Sequence, residues 1–174
     1  MSPKTRDSLR LPTPAVAPAE LCRRFRAELP YVRINDPAVR VMNDFTHEAP
    51  WTIGEDCPVD DALDDMFRLG VRAFLVAREQ QVIGFITSDD IKGERDSRSD
   101  ALRVHDVMTA VSDIPAIDWL TVLEATIGDL QEIFAGTGVN HLVVVETESA
   151  AFARVRGVIH RGRLDRQLGA GARP

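Results

Sequence analysis

A chain of 174 residues, 44% hydrophobic, suits one compact domain or two intimate half-domains. It holds no apolar run near the about 18 residues needed to span a bilayer, and Met1–Ser8 lacks the apolar core of a secretory signal. Its net charge of −6 hides a pattern: seven basic and three acidic side chains in residues 1–35, eight and twenty-three in 36–153, six and one in 154–174.

Basic ends on an acidic body would allow polyanion binding, but no basic helix with nucleic-acid spacing is present. A solvated acidic surface with basic tails is the preferred reading, with no nucleic-acid or membrane partner. Cys22 and Cys57 sit in unrelated contexts and read as free thiols of a reducing cytoplasm.

In chain order, Pro3, Pro12, Pro14 and Pro18 mark residues 1–18 as a mobile arm. Leu21, Cys22, Phe25 and Leu29 then form a helical stripe that Pro30 stops. Val39, Val41, Met42 and Phe45 make an apolar approach, and Trp51-Thr52-Ile53 a short strand. Val59, Ala62, Leu63, Met66 and Phe67 recur at helical spacing, with Asp60, Asp61, Asp64 and Asp65 on the other face and Gly70 as C-cap. Phe74–Ala77 is a buried strand, Glu79–Gln81 a tight turn, and Val82–Ile86 the returning antiparallel strand; Thr87 or Ser88 opens another helix. Residues 93–100 read as a charged linker.

The pattern then returns. Gly70-Val71-Arg72-Ala73-Phe74-Leu75-Val76 reappears as Gly138-Val139-Asn140-His141-Leu142-Val143-Val144, an offset of 68 that also maps Val59 to Ile127 and Met66 to Phe134. After the strand the offset becomes 73, because the hairpin Glu146–Ala153 is five residues longer. Asp118–Val122 are extra residues before the second copy's first long helix. Insertions confined to loops, with the apolar frame intact, mark a structural repeat.

The individual chemistries are sparse. His47, His105, His141 and His160 have no metal-like spacing, and the Asp60–Asp65 cluster lacks the glycine of a calcium loop. No Gly-x-Ser-x-Gly, Walker loop or Gly-x-Gly-x-x-Gly occurs, so no catalytic residue, metal or required cofactor is assigned. Thr87-Ser-Asp-Asp90 is an acceptable capping box, in which hydroxyl and carboxylate satisfy each other's backbone donors. A helix start with a hydroxyl is also a ready anion site.

Strand, helix, two antiparallel strands and helix, given twice with Gly84-x-x-Thr87-x-x-Asp90 after the third strand, resemble a tandem pair of cystathionine β-synthase (CBS) domains. The resemblance covers residues 38–169. Its residues are Met42, Gly70-Val71-Arg72, Phe74-Leu75-Val76 and Gly84–Ile91 in one copy. In the other they are Val107-Met108-Thr109, Gly138-Val139, Leu142–Val145 and Gly157-Val158-Ile159. It implies an α+β fold of two β-α-β-β-α repeats: an arm and short helix at 1–37, one repeat at 38–100 and one at 101–174. The length leaves no room for an attached enzyme, so a free-standing, non-catalytic, cytoplasmic sensor is expected.

The resemblance further implies clefts between the repeats that bind an adenosine compound, with AMP, ADP, ATP and S-adenosylmethionine as candidates. It also implies a homodimer that transmits its state to an unknown protein partner. By the family motif, Thr87 contacts a phosphate, Asp90 holds the ribose hydroxyls and Gly84 gives room. Arg72 would reach a phosphate, while Ala73, Phe85, Ile86 and Thr46–Trp51 would wall the base. The second copy keeps Gly157 but carries His160 and Arg163 in place of the Thr and Asp: it is expected to be a degenerate site that supplies structure and phosphate contacts to one ligand, or one whose arginine fills the cleft and pairs with an acidic neighbour. The alternative is a ligand-free dimeric scaffold whose Thr87 and Asp90 are only a helix cap.

Overall fold

In the computed structural model, residues 9–10, 30–95, 102–149 and 152–169 are described. Chain order is β1 (Leu9–Arg10), a 3-10 turn (Ala38–Val41), β2 (Met42–Asp44), β3 (Thr52–Gly54), α1 (Val59–Leu69), β4 (Ala73–Arg78), β5 (Gln81–Thr87) and α2 (Ser88–Arg95). There follow α3 (Val104–Val107), β6 (Thr109–Ala110), β7 (Ala116–Asp118), α4 (Trp119–Glu124), α5 (Ile127–Thr137), β8 (His141–Ser149), β9 (Phe152–His160) and α6 (Arg161–Gly169). The architecture is α+β, and it divides into two compact units.

The first unit is built on residues 50–114. Here β3 runs parallel to β4 (Thr52 opposite Leu75), β4 antiparallel to β5 (Phe74 opposite Ile86) and β5 antiparallel to β6 (Phe85 opposite Thr109). Helix α1 forms because its apolar residues repeat every three or four positions, and Asp60 and Asp61 occupy the first turn, where the helix dipole favours acids. Gly70 ends it in the left-handed region at φ 65°, its N–H bonded to the Met66 and Phe67 carbonyls. Val59, Ala62, Leu63 and Met66 from α1 pack with Phe74, Val76, Ile86, Ile91 and Val104 as the core.

The second unit is built on residues 30–49, 115–147 and 155–169. Its sheet order is β7-β8-β9-β2, with β7 parallel to β8 (Ala116 opposite Val143) and β9 antiparallel to β2 (Ile159 opposite Met42). Helix α5 ends on Gly138 at φ 70°, as α1 ends on Gly70. Val41, Met42, Val122, Ile127, Leu130, Phe134, Leu142, Val144, Ile159 and Leu164 lie in its core. The fourth strand of each sheet comes from outside its own strand–helix–hairpin–helix run: β6 completes the first, β2 the second.

Several expectations need correction. Phe67 is 61% exposed, since the α1 stripe that meets the sheet is filled by Met66 and Leu63. Residues 93–95 continue α2 rather than starting a linker, and Leu9–Arg10 in the expected arm pair with β5 at Val82 and Gln81. The extra residues of the second copy are not plain loop, because Trp119–Glu124 form α4, capped by the Asp118 carboxylate accepting from Leu120 N–H at 2.9 Å. The expected helix at 18–29, and Cys22 within it, lie outside the described residues; Cys57 is a free thiol.

Candidate functional site

The site expected in the first unit lies where β5 turns into α2. Strand register sets Ala73 beside Thr87, and Ser88 N–H donates to the Arg72 carbonyl at 2.9 Å. Thr87 and Asp90 close a reciprocal box. Thr87 N–H and Oγ1 donate to Asp90 Oδ2 at 2.8 and 2.7 Å, and Asp90 N–H donates back to Thr87 Oγ1 at 3.1 Å. Both residues are half-buried, and Arg72 is exposed.

Alternation along β5 sorts the expected walls onto two faces. Phe85 shares the face of Thr87 and is 5% exposed, whereas Ile86 points the other way and is 0% exposed in the core under α1 and α2. Ile86 therefore cannot line a site that Thr87 faces. Gly84 also has a different use. A Cβ there would lie 2.5 Å from Met108 Sδ and 2.9 Å from the Thr109 carbonyl oxygen, so its missing side chain admits β6. Of the segment Thr46–Trp51, Thr46 folds back on Asp44 in the second unit (Oγ1 to Oδ1, 2.6 Å), while Trp51, 38% exposed, belongs to the first.

The same box occurs at another helix start. Thr126 N–H and Oγ1 donate to Asp129 Oδ2 at 2.7 and 2.8 Å, and Asp129 N–H returns to Thr126 Oγ1 at 3.3 Å. These bonds from Thr126 hold the Asp129 carboxyl below its ordinary range. There the start of α5 is also covered by its own chain: Ile127 N–H donates to the Asp36 carbonyl and Gly128 N–H to the Ile34 carbonyl, both at 2.9 Å. A Thr/Asp box is thus a feature of helix starts in this protein, and by itself it names no ligand.

The second unit holds the counterpart of Arg72, Ala73, Thr87 and Asp90 in Asn140, His141, His160 and Arg163. Arg161 N–H donates to the Asn140 carbonyl at 2.9 Å, matching Ser88 on Arg72. The His160 imidazole replaces the threonine as cap, its Nδ1 accepting from Arg163 N–H at 3.3 Å. That bond requires Nδ1 to be unprotonated. The His141 ring stands edge-on to His160, centroids 4.3 Å apart at 90°. Burial, with His160 beside it, pushes the His141 imidazole down to about 3, so it is neutral at neutral pH. Arg163 does not return to the cap: its guanidinium donates to Asn43 Oδ1 on β2, and burial lowers its pKa. Gly157 repeats the role of Gly84, since a Cβ there would collide with the Asn43 carbonyl oxygen.

Asn43 and the pairing of His141 with His160 were missed by motif reading. The offset of 68 places His141 on Ala73 and would have flagged one of them. His105 contacts the Glu55 carbonyl (3.1 Å) and Asp106 Oδ1 (3.2 Å) at the surface. Among the described residues no cluster of three or more His, Cys, Asp or Glu is placed to hold a metal, and no helix is long and apolar enough to cross a membrane.

Comparison with known proteins identifies this frame. The family model of the CBS domain matches residues 39–96. That match spans about a third of the chain. Solved structures extend the likeness across both copies. A signal-transduction protein with CBS domains from Burkholderia ambifaria is 22% identical, with a TM-score of 0.58 over 72% of this chain and 87% of that one. An uncharacterized conserved protein from Pyrococcus horikoshii is 18% identical, with a TM-score of 0.61 over 82% and 97%. CBSX2 of Arabidopsis thaliana, solved in complex with AMP, is 17% identical, with a TM-score of 0.55 over 79% and 99%. No curated protein matches by sequence. At these identities the structures show the shared fold of a CBS pair, whose two copies here differ in the side chains at the starts of α2 and α6.

Proposed function

We propose that this CBS pair is a non-catalytic regulatory module that binds an adenosine nucleotide at the start of α2 and passes its ligand state to a protein partner as a homodimer. The observation that carries the reading is the contrast in side chains at equivalent positions. Ala73 and Thr87 present a methyl and a hydroxyl beside Asp90, while the second unit sets two imidazoles and an arginine there. The AMP complex of CBSX2 supports adenosine chemistry on this fold.

The box changes how the roles are shared. Its bonds engage Asp90 Oδ2, so ribose hydroxyls would donate to Oδ1. Thr87 Oγ1 already gives its proton to Asp90 and Ser88 N–H is held by Arg72 O, which makes the exposed Arg72 guanidinium the better phosphate donor. Phe85, Ala73 and Gly84 then shape the surroundings rather than contact phosphate.

AMP, ADP, ATP and S-adenosylmethionine at millimolar levels should include one that raises the melting temperature, since a ligand of the native state stabilises it by mass action. Arg72→Ala and Asp90→Ala should each remove most of that shift, and Asp129→Ala should leave it. The closed Thr87–Asp90 box favours the second reading, a ligand-free dimeric scaffold. That reading wins if none of the four compounds shifts the melt.

A further inference from the structure

We propose that the second unit plugs its own nucleotide position, with His141, His160 and Arg163 as the plug; this rests on the reading of the first unit as a nucleotide site. The backbone frame of a site is retained there. The strand-to-helix junction makes the same main-chain bond, Arg161 N–H to Asn140 O at 2.9 Å, as Ser88 N–H to Arg72 O at 2.9 Å. Gly157, like Gly84, admits a neighbouring strand whose backbone a side chain would strike. What differs lies in the side chains: Asn140 stands in place of Arg72, and the closure is carried by the other three counterparts.

Each of the three closes the position in its own way. His141 brings an imidazole where the first unit has the Ala73 methyl, and it packs edge-on against His160 at 4.3 Å. His160 spends its Nδ1 lone pair on Arg163 N–H, so the helix cap is kept while the threonine hydroxyl is lost. Arg163 replaces the acceptor that ribose hydroxyls need with a donor, and that donor is already turned onto Asn43. The half-buried His141 ring lies against His160, so the ring pair fills space that the Ala73 methyl leaves in the first unit.

A plug made of side chains on an intact frame is removable. Isothermal titration of AMP, ADP, ATP and S-adenosylmethionine, each into the full chain, should give one site per chain in the wild type for at least one of them. The Asn140→Arg, His141→Ala, His160→Thr, Arg163→Asp variant, which also restores the Arg72 counterpart, should give two. A folded quadruple variant that still binds one ligand overturns the plug and leaves the first-unit reading standing, as does a wild type that binds two. Wild type binding none with the variant binding one upholds the plug and overturns the first-unit reading. No binding to either chain overturns both. Should that variant lose its cooperative melt, the same variant with Arg163→Asn, whose amide oxygen supplies the acceptor without a new charge, decides by the same count, and absence of a second binding event in it overturns the plug.

Discussion

At the start of α2 a threonine and an aspartate exchange three hydrogen bonds, and at the start of α6 a histidine accepts one while its arginine partner leaves for β2. Both arrangements satisfy the first-turn amide at the third helical position, so both keep the helix start in place. They differ in what they offer beyond it. The first leaves a carboxylate oxygen and small neighbours; the second leaves a ring pair and a committed guanidinium. Helix capping is tolerant of chemistry, and a duplicated fold can therefore let one copy drift as a site while its backbone stays the same.

The largest effect that tests this comparison concerns the backbone frame. Gly157→Ala places a Cβ against the backbone of Asn43, which has no flexible end to yield, whereas Gly84→Ala meets the Met108 thioether first. Urea unfolding should show a loss of about 3 kcal/mol for Gly157→Ala and about half of that for Gly84→Ala. Equal losses would mean that the Met108 side chain yields no more readily than the Asn43 backbone.

Acid sensitivity should belong to the second unit. The folded pKa of His141, about 3, lies below its ordinary 6.5, so under pH 6.5 the unfolded chain takes up a proton that the folded chain refuses. Stability is fully present above that value and falls as the pH drops toward 3, by about 2 kcal/mol between pH 6.5 and 5. Denaturant melts of wild type and His141→Gln across this range should diverge, with the variant losing less. Parallel curves would show that the ring pair does not exclude the proton.

The smallest effect separates cap from site. Thr87→Ala and Thr126→Ala should each cost about 1 kcal/mol in the same melts, because the two boxes have the same bonds. Only the former should weaken the nucleotide shift. A loss of the shift by Thr126→Ala would move the site to α5.

Much of the frame was legible in the sequence because it is written in spacing. The apolar stripe of α1, the glycines at 70 and 138 and the strand pairs around Phe74 and Leu142 all follow from period and punctuation. Phe67 was misread because one helical step separates a buried from an exposed position. Ile86 was assigned to a wall because the motif is contiguous in sequence, while a strand sends successive side chains to opposite faces. Gly84 and Gly157 were legible as small, but not the strand that makes smallness necessary, since β6 and β2 lie outside the strand–helix–hairpin–helix run that each completes. Asn43 was invisible for the same reason, 120 residues from Arg163.

That distance has a kinetic consequence. In the first unit, β3 to β6 arise from one continuous stretch, so its sheet closes over short loops. In the second, Met42 must wait for Ile159 before the fourth strand can seat, and the entropy of so long a loop slows that step. The order of assembly therefore runs with the order of synthesis: the first unit is able to close while the second still lacks its last strand and helix. Pulse-labelled hydrogen exchange during refolding should find β4 and β5 protected before β9 and β2, and the interval between them is when the apolar face of β8 is exposed to aggregation.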